Sequence, residues 1–219
     1  MLIYDLETDG LLDEVTAIHC LHFWDTDNPE LGVQRYNDHN YNATGTIAEG
    51  VAALGSAEER LAHNGIGFDY LVLDKLYPDW DTSGGKRLDS LVMTQVIWTE
   101  LKAIDFACRE KGAWKLLGQS NPCPDLMGDI IGRHSLKAWG VRLGENKDDY
   151  DPRRAFPYDE NGKSTVTVSY AWKHVGWNKE MDDYCVQDVV VTEKLWRLIA
   201  RKEYSPTCLD LEHQFASII

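Results

Sequence analysis

The sequence predicts an α/β domain, a mixed β-sheet flanked by α-helices, and three observations carry that reading. Short apolar runs separated by turn residues open the chain, helical periodicity alternates with short strands in the middle, and amphipathic helical patterns close it. Residues 2–7, 14–24 and 31–36 read as three strands joined at Asp9-Gly10 and Asp27-Asn28-Pro29, which implies an antiparallel meander. Residues 46–54 read as a helix, 59–63 as a fourth strand, 69–77 as a helix and 86–88 as a fifth strand, with a further helix over about 91–101. With 219 residues, 43% of them hydrophobic, the chain can bury a full core as one domain.

The order βββαβαβα followed by helices is that of a ribonuclease-H-like mixed sheet. Residues 148–170 are polar, carry Pro152, Pro157 and an Asn161-Gly162 turn, and could form a hairpin flap. Beyond it, Asn178 is a credible N-cap, Glu180 sits in the first turn, and apolar residues recur at helical spacing through Val191, Leu195 and Ile199. After Pro206, the residues Leu209, Leu211, Phe215, Ile218 and Ile219 form one more apolar helical face. There is no internal repeat and no low-complexity segment.

Chemistry enters with Asp5 and Glu7 in the opening run Met1-Leu-Ile-Tyr-Asp5-Leu-Glu7. The period of a strand points both to the same face, and two carboxylates side by side on a core strand repel. A divalent metal ion between them is the simplest remedy, since unpaired buried carboxylates otherwise protonate or destabilise the fold. Later in the chain, Tyr184 and Asp188 stand one turn apart on one helix face. Asp69 follows a glycine-rich turn, Asn64-Gly-Ile-Gly-Phe68, where the chain enters a helix, a position that suits an N-cap as well as a ligand.

Asp5-x-Glu7, Asn64-x4-Asp69 and Tyr184-x3-Asp188 resemble, as a set and in this order, the three motifs of the proofreading 3′-5′ exonucleases with a tyrosine in the third motif. The chain is most similar to the exonuclease domain of family-A replicative DNA polymerases of podovirus type, a likeness that extends to His134-Ser-Leu-Lys-Ala-Trp-Gly-Val-Arg-Leu-Gly144 and Cys208-Leu-Asp-Leu-Glu-His213. The resemblance implies Asp5, Glu7, Asp69 and Asp188 as metal ligands, with Tyr184 orienting the attacking water. It further implies Thr8, Leu11 and Asn64 as substrate contacts, Leu11 wedging against the 3′-terminal base. In-line hydrolysis of a phosphodiester needs a hydroxide nucleophile and a stabilised leaving oxygen, which two Mg²⁺ or Mn²⁺ ions about 4 Å apart supply. Oxygen ligands suit such ions, whereas a His/Cys set would favour zinc.

The expected partners are a single-stranded DNA 3′ end and a covalent or separate polymerase domain. Residues 1–205 would form the nuclease and 206–219 the start of a connection toward the polymerase. The apolar tail would then mark an excised domain or a separately encoded nuclease of a split polymerase. A ribonuclease-D-like enzyme trimming RNA 3′ ends and a vestigial domain bracing a polymerase remain the alternatives. The net charge of −14 argues against a protein that holds DNA by neutralising many phosphates, and fits one to which strands are handed. A start without a basic leader, no apolar run approaching about 18 residues, and 5 cysteines without Cys-x-x-Cys lead to the expectation of a cytoplasmic protein and no membrane.

Several conspicuous residues have ordinary readings. Asp89 is expected to cap a helix, His19 and His22 to pack on opposite sides of a strand, and Cys20 and Cys185 to be core residues. Residues 145–151 read as a solvated loop, and Asp182 and Asp183 as the exposed side of their helix.

Overall fold

The computed structural model describes residues 1–112, 114, 117, 118, 128, 130–145 and 150–218. Five strands, β1 (Leu2–Thr8), β2 (Ile18–Asp25), β3 (Val33–Tyr36), β4 (Glu59–Ala62) and β5 (Lys86–Asp89), form one sheet in the order β3-β2-β1-β4-β5. β1, β2 and β3 pair antiparallel, while β4 joins β1, and β5 joins β4, in parallel. This is the ribonuclease-H-like arrangement expected from the element order. The helices are α1 (Ile47–Ser56), α2 (Asp69–Leu76), α3 (Ser90–Ile97), α4 (Leu101–Glu110), α5 (Leu136–Leu143), α6 (Val168–Val175), α7 (Lys179–Ile199) and α8 (Pro206–Ala216).

Strand alternation divides the core in two. Tyr4 and Leu6 of β1 face one way and pack with Val51 and Leu54 of α1 and Tyr70 and Leu73 of α2. Ile3 faces the other way, into a cluster with Met93 of α3, Trp139 of α5 and Leu195, Leu198 and Ile199 of α7. Asp5 and Glu7 share the parity of Ile3, so they emerge on the face that α7 crosses.

Local chemistry sets the boundaries. Thr46 and Glu49 form a reciprocal capping box at the start of α1, and Asn178 accepts the Met181 N–H at 2.9 Å to start α7. β2 begins at residue 18 rather than 14, because the Asp9 carboxylate binds the N–H groups of Thr16 and Ala17 at 2.8 and 3.0 Å and folds residues 10–17 into a loop. β3 is shortened by a 3-10 turn, Pro29–Leu31, that ends on Gly32 at φ +66. The helix expected over 91–101 is shorter, α3 stopping at Ile97, and a separate helix, α4, starts at Leu101. Among the described residues, the expected flap reduces to a single bridge, Tyr158 to Ser164, around Gly162 at φ +72, after which Thr167 caps α6. In the loop before it, residues 146–149 lie outside the described residues; Glu145 pairs with Lys194, and Asp151 caps the turn Pro152–Ala155.

α4 and α5 are joined by a buried ion pair. Arg142 and Asp105 are both fully buried and meet through two contacts, Nε to Oδ1 at 3.0 Å and a terminal nitrogen to Oδ2 at 2.7 Å. The guanidinium also donates to the carbonyls of Arg133 and Ile130 and lies over the Trp139 ring at 4.9 Å. Removing one partner leaves a buried charge alone, so Arg142→Leu should lower unfolding stability by about 3–5 kcal/mol in denaturant titration. A loss under about 1 kcal/mol would show that water reaches Asp105.

Candidate active site

α7 reaches the odd face of β1 because its first turns are pinned to β2 and β3. Asp182, expected on the exposed side of the helix, is fully buried. It accepts from Arg35 at 3.1 Å, from Asn37 Nδ2 at 3.0 Å and from the Trp177 indole at 3.3 Å, with His22 Nε2 3.1 Å away. Burial works to raise its carboxyl pKa, yet His22, Trp177 and Arg35 together hold it below the usual range. Asp183 is half-exposed and still engaged, with Arg35 at 2.7 Å and the Tyr41 hydroxyl at 3.2 Å. An Asp-Asp pair early in a helix reads as solvated because every one of these partners except Trp177 comes from a strand or loop over a hundred residues away.

With α7 so placed, Asp5, Glu7 and Asp188 each bring a carboxylate oxygen within 4.8 Å of the others. At an effective dielectric near 20, charges at such separations repel by on the order of 3 kcal/mol per pair. The donor set is all oxygen, which suits a hard divalent ion, and such an ion would turn that repulsion into ligation. Asp188 is buried while Asp5 and Glu7 are half-buried, so the cluster opens to solvent on the β1 side.

Asp69 is held beside this cluster by the turn after β4. The N-cap position of α2 belongs to Phe68, whose side chain makes no capping bond, and Asp69 is the first residue of the helix rather than its cap. Its buried carboxyl is pushed up to about 7, first by desolvation and then by the charges of Asp89 and Asp188, against backbone hydrogen bonds that lower it. Asn64 sits in the left-handed region at φ +64, which asparagine tolerates. A Cβ on Gly65 would stand 2.6 Å from the Ala62 Cβ, so the turn passes too close to β4 for any side chain there.

Asp89 caps α3 as expected, through the Leu91 N–H at 2.8 Å. The same carboxylate also takes the N–H groups of Asn64 at 2.9 Å and Ile66 at 3.1 Å, which fixes the turn that delivers Asp69. Tyr184 is half-buried on α7, one turn before Asp188, with the Tyr150 ring 5.8 Å from its own. Tyr150 in turn accepts from Asn178 Nδ2 at 2.8 Å. Sequence reasoning passed over Tyr150, which lies in a stretch with no periodic signal. The other residues singled out lie at the margins: Leu11 is 58% exposed in the loop after β1, and the buried Thr8 hydroxyl donates to the Gly10 carbonyl at 2.8 Å. Cys20 and Cys185 are core residues, Cys185 Sγ donating to the Asp5 carbonyl at 3.4 Å.

The raised Asp69 carboxyl has a pH signature in the metal-free chain. A carboxyl whose folded pKa, about 7, exceeds its unfolded one binds more protons when folded, so its contribution to stability falls as pH rises from about 4 to 7. In EDTA, Asp69→Asn should match wild type near pH 4 and exceed it in melting temperature by pH 8. A difference that stays flat across that range would show that Asp69 is solvated.

No family model matches the chain. Over 222 residues it is 31% identical to the DNA-directed DNA polymerase of Enterobacteria phage T3, and over 216 residues 32% identical to that of Escherichia phage T7. Each likeness takes in 96% of this chain and 28% of the polymerase, so the chain spans under a third of the length of these relatives. Among solved structures, the apo form of a nuclease matches 99% of this chain and 83% of its own, with a TM-score of 0.50 at 13% identity, a likeness of fold. The chain is therefore a homologue of one portion of the phage T3 and T7 DNA polymerases, built on a ribonuclease-H-like fold that a nuclease also adopts.

Proposed function

We propose that the chain is a metal-dependent 3′-5′ exonuclease that removes nucleotides from single-stranded DNA ends and serves as the proofreading portion of a phage replicative polymerase. The observation that carries this reading is the convergence of Asp5, Glu7 and Asp188 within 4.8 Å, beside the buried Asp69, in a chain related to part of two phage polymerases. A domain that only braced a polymerase would gain nothing from gathering like charges.

Asp5, Glu7, Asp69 and Asp188 would hold two divalent ions, Mg²⁺ or Mn²⁺. Such ions, when bound, make water nucleophilic at neutral pH and offset the charge on the leaving 3′-oxygen. The protein's own residues do the rest. Tyr184 is too weak an acid to serve as a base near neutrality, so its hydroxyl positions the attacking water by hydrogen bond. Leu11, exposed in the loop that follows β1, offers apolar contact to the last base, with Thr8 and Asn64 shaping the approach. A net charge of −14 leaves few phosphate contacts, so residues 1–205 act on strands delivered by a polymerase domain to which 206–219 lead. The polymerase relatives favour DNA over RNA as the substrate.

The test is digestion of an end-labelled single strand by the purified chain, with and without Mg²⁺, beside an RNA oligomer and a matched duplex. Metal-dependent release of mononucleotides from the 3′ end is expected. The duplex should be cut far more slowly, since each stacked step to be opened costs about 1.4 kcal/mol. Faster turnover of RNA would instead assign the chain to RNA 3′-end trimming. Replacing Asp5 and Glu7 together by Ala should reduce turnover by about 10³-fold or more with the fold intact, roughly 4 kcal/mol of transition-state stabilisation. Near-normal turnover in that variant would place the active site elsewhere. Tyr184→Phe should slow the reaction by about 10 to 100-fold while metal affinity, read by calorimetry, is kept. If the phenylalanine variant lost metal as completely as Asp188→Ala, positioning would be the wrong role.

A further inference from the structure

Behind the carboxylates lies a second group of potential ligands with different chemistry. One atom each from Cys20, His22 and Cys185 fall within 4.8 Å of one another, and all three residues are fully buried. Cys20 is the cross-strand partner of Glu7, and His22 of Asp5, so the two sets are neighbours on one face of β1 and β2. Their donors differ, oxygen in one and sulfur with imidazole nitrogen in the other, and metal ions sort by that difference.

We propose that Cys20, His22 and Cys185 bind a thiolate-preferring divalent ion of the zinc class, which fastens α7 to β2 independently of the carboxylate site. Two cysteines and a histidine are a recurring zinc set. On binding, the ion displaces the two thiol protons to solvent, two thiolates cancel its charge, and the buried site ends neutral. His22 Nε2 stands 3.1 Å from Asp182 Oδ1 and carries the ring proton toward it, so coordination through Nε2 displaces that proton and sets the ion beside a carboxylate. The ring's other nitrogen, Nδ1, accepts the Tyr36 N–H at 3.2 Å. An imidazole has one lone pair to give, so coordination through Nε2 moves the ring proton to Nδ1 and exchanges that neutral hydrogen bond for a metal bond. Because the ligands are fully buried, loading accompanies folding.

Co²⁺ is the probe, since tetrahedral thiolate ligation gives a near-ultraviolet charge-transfer band that carboxylate ligation does not. The chain is unfolded with EDTA and reductant, then refolded with Co²⁺ in the presence of excess Mg²⁺. Wild type should show the band at about one equivalent of Co²⁺, Zn²⁺ should abolish it, and the Asp5→Ala, Glu7→Ala double variant should keep it. That last arm separates this site from the nuclease reading, which can fail without it. Cys20→Ser and Cys185→Ser, checked for folding by circular dichroism, should each lose at least ten-fold in Co²⁺ affinity. If either serine variant fails to fold, the wild-type spectrum and the retention of Zn²⁺ through dialysis against Mg²⁺ decide. Folded wild type without the band, a band that survives both serine substitutions, or a Cys20–Cys185 disulfide found by mass in place of a metal would each overturn the proposal.

Discussion

Like-charge crowding is the constraint around which the rest of this molecule is arranged. Asp5 and Glu7 are brought together by strand parity alone, but Asp188 arrives only because α7 is pressed against the same face. The contacts that press it are charged and polar at one end, where Asp182 gathers Arg35, Asn37 and Trp177, and apolar at the other, where Leu195, Leu198 and Ile199 pack with Ile3. Both ends hold against the repulsion within the cluster. Fold stability is thus drawn upon to keep three carboxylates at a distance they would leave if free, a common condition of sites that bind cations.

What could be read from the sequence was what depends on near neighbours. Alternation in β1 gave the shared face of Asp5 and Glu7, helical periodicity over 46–54 announced α1, and Asn178 announced the start of α7. The three acidic motifs stood out because their spacing within each element is short. What escaped was held by long-range partners. Asp182 looked solvated because its acceptor role is set by β2 and β3, and Tyr150 had no pattern around it to mark it. The pairing of Arg142 with Asp105 spans 37 positions, and nothing local distinguishes either residue from any surface charge. The start of β2 was misplaced for a related reason, since the Asp9 side chain reaches 7 and 8 residues ahead to hold a loop where alternation suggested a strand.

The relationship to the phage polymerases adds scale to this picture. The match runs through nearly the whole chain yet takes in little more than a quarter of either polymerase, so the similarity concerns one structural unit of a larger machine. Strong negative charge fits the proposed function, in which strands are delivered by a larger assembly. On that proposal, divalent ions held by the acidic cluster would supply positive charge where its carboxylates supply negative.

Asp89 connects this cluster to the far side of the domain. Its carboxylate grips the turn that carries Asn64 and leads to Asp69, while its own N–H donates to His213 Nε2 of α8 at 2.9 Å. His213 Nδ1 is within 2.8 Å of the Leu209 carbonyl one turn earlier, which fixes the ring, and Leu209 is itself buried. A displacement of α8 that freed the Asp89 N–H would strand a part-buried amide at the end of β5, beside the turn that sets Asp69. A substitution at His213, distant in sequence from every acidic motif, therefore bears on where Asp69 sits.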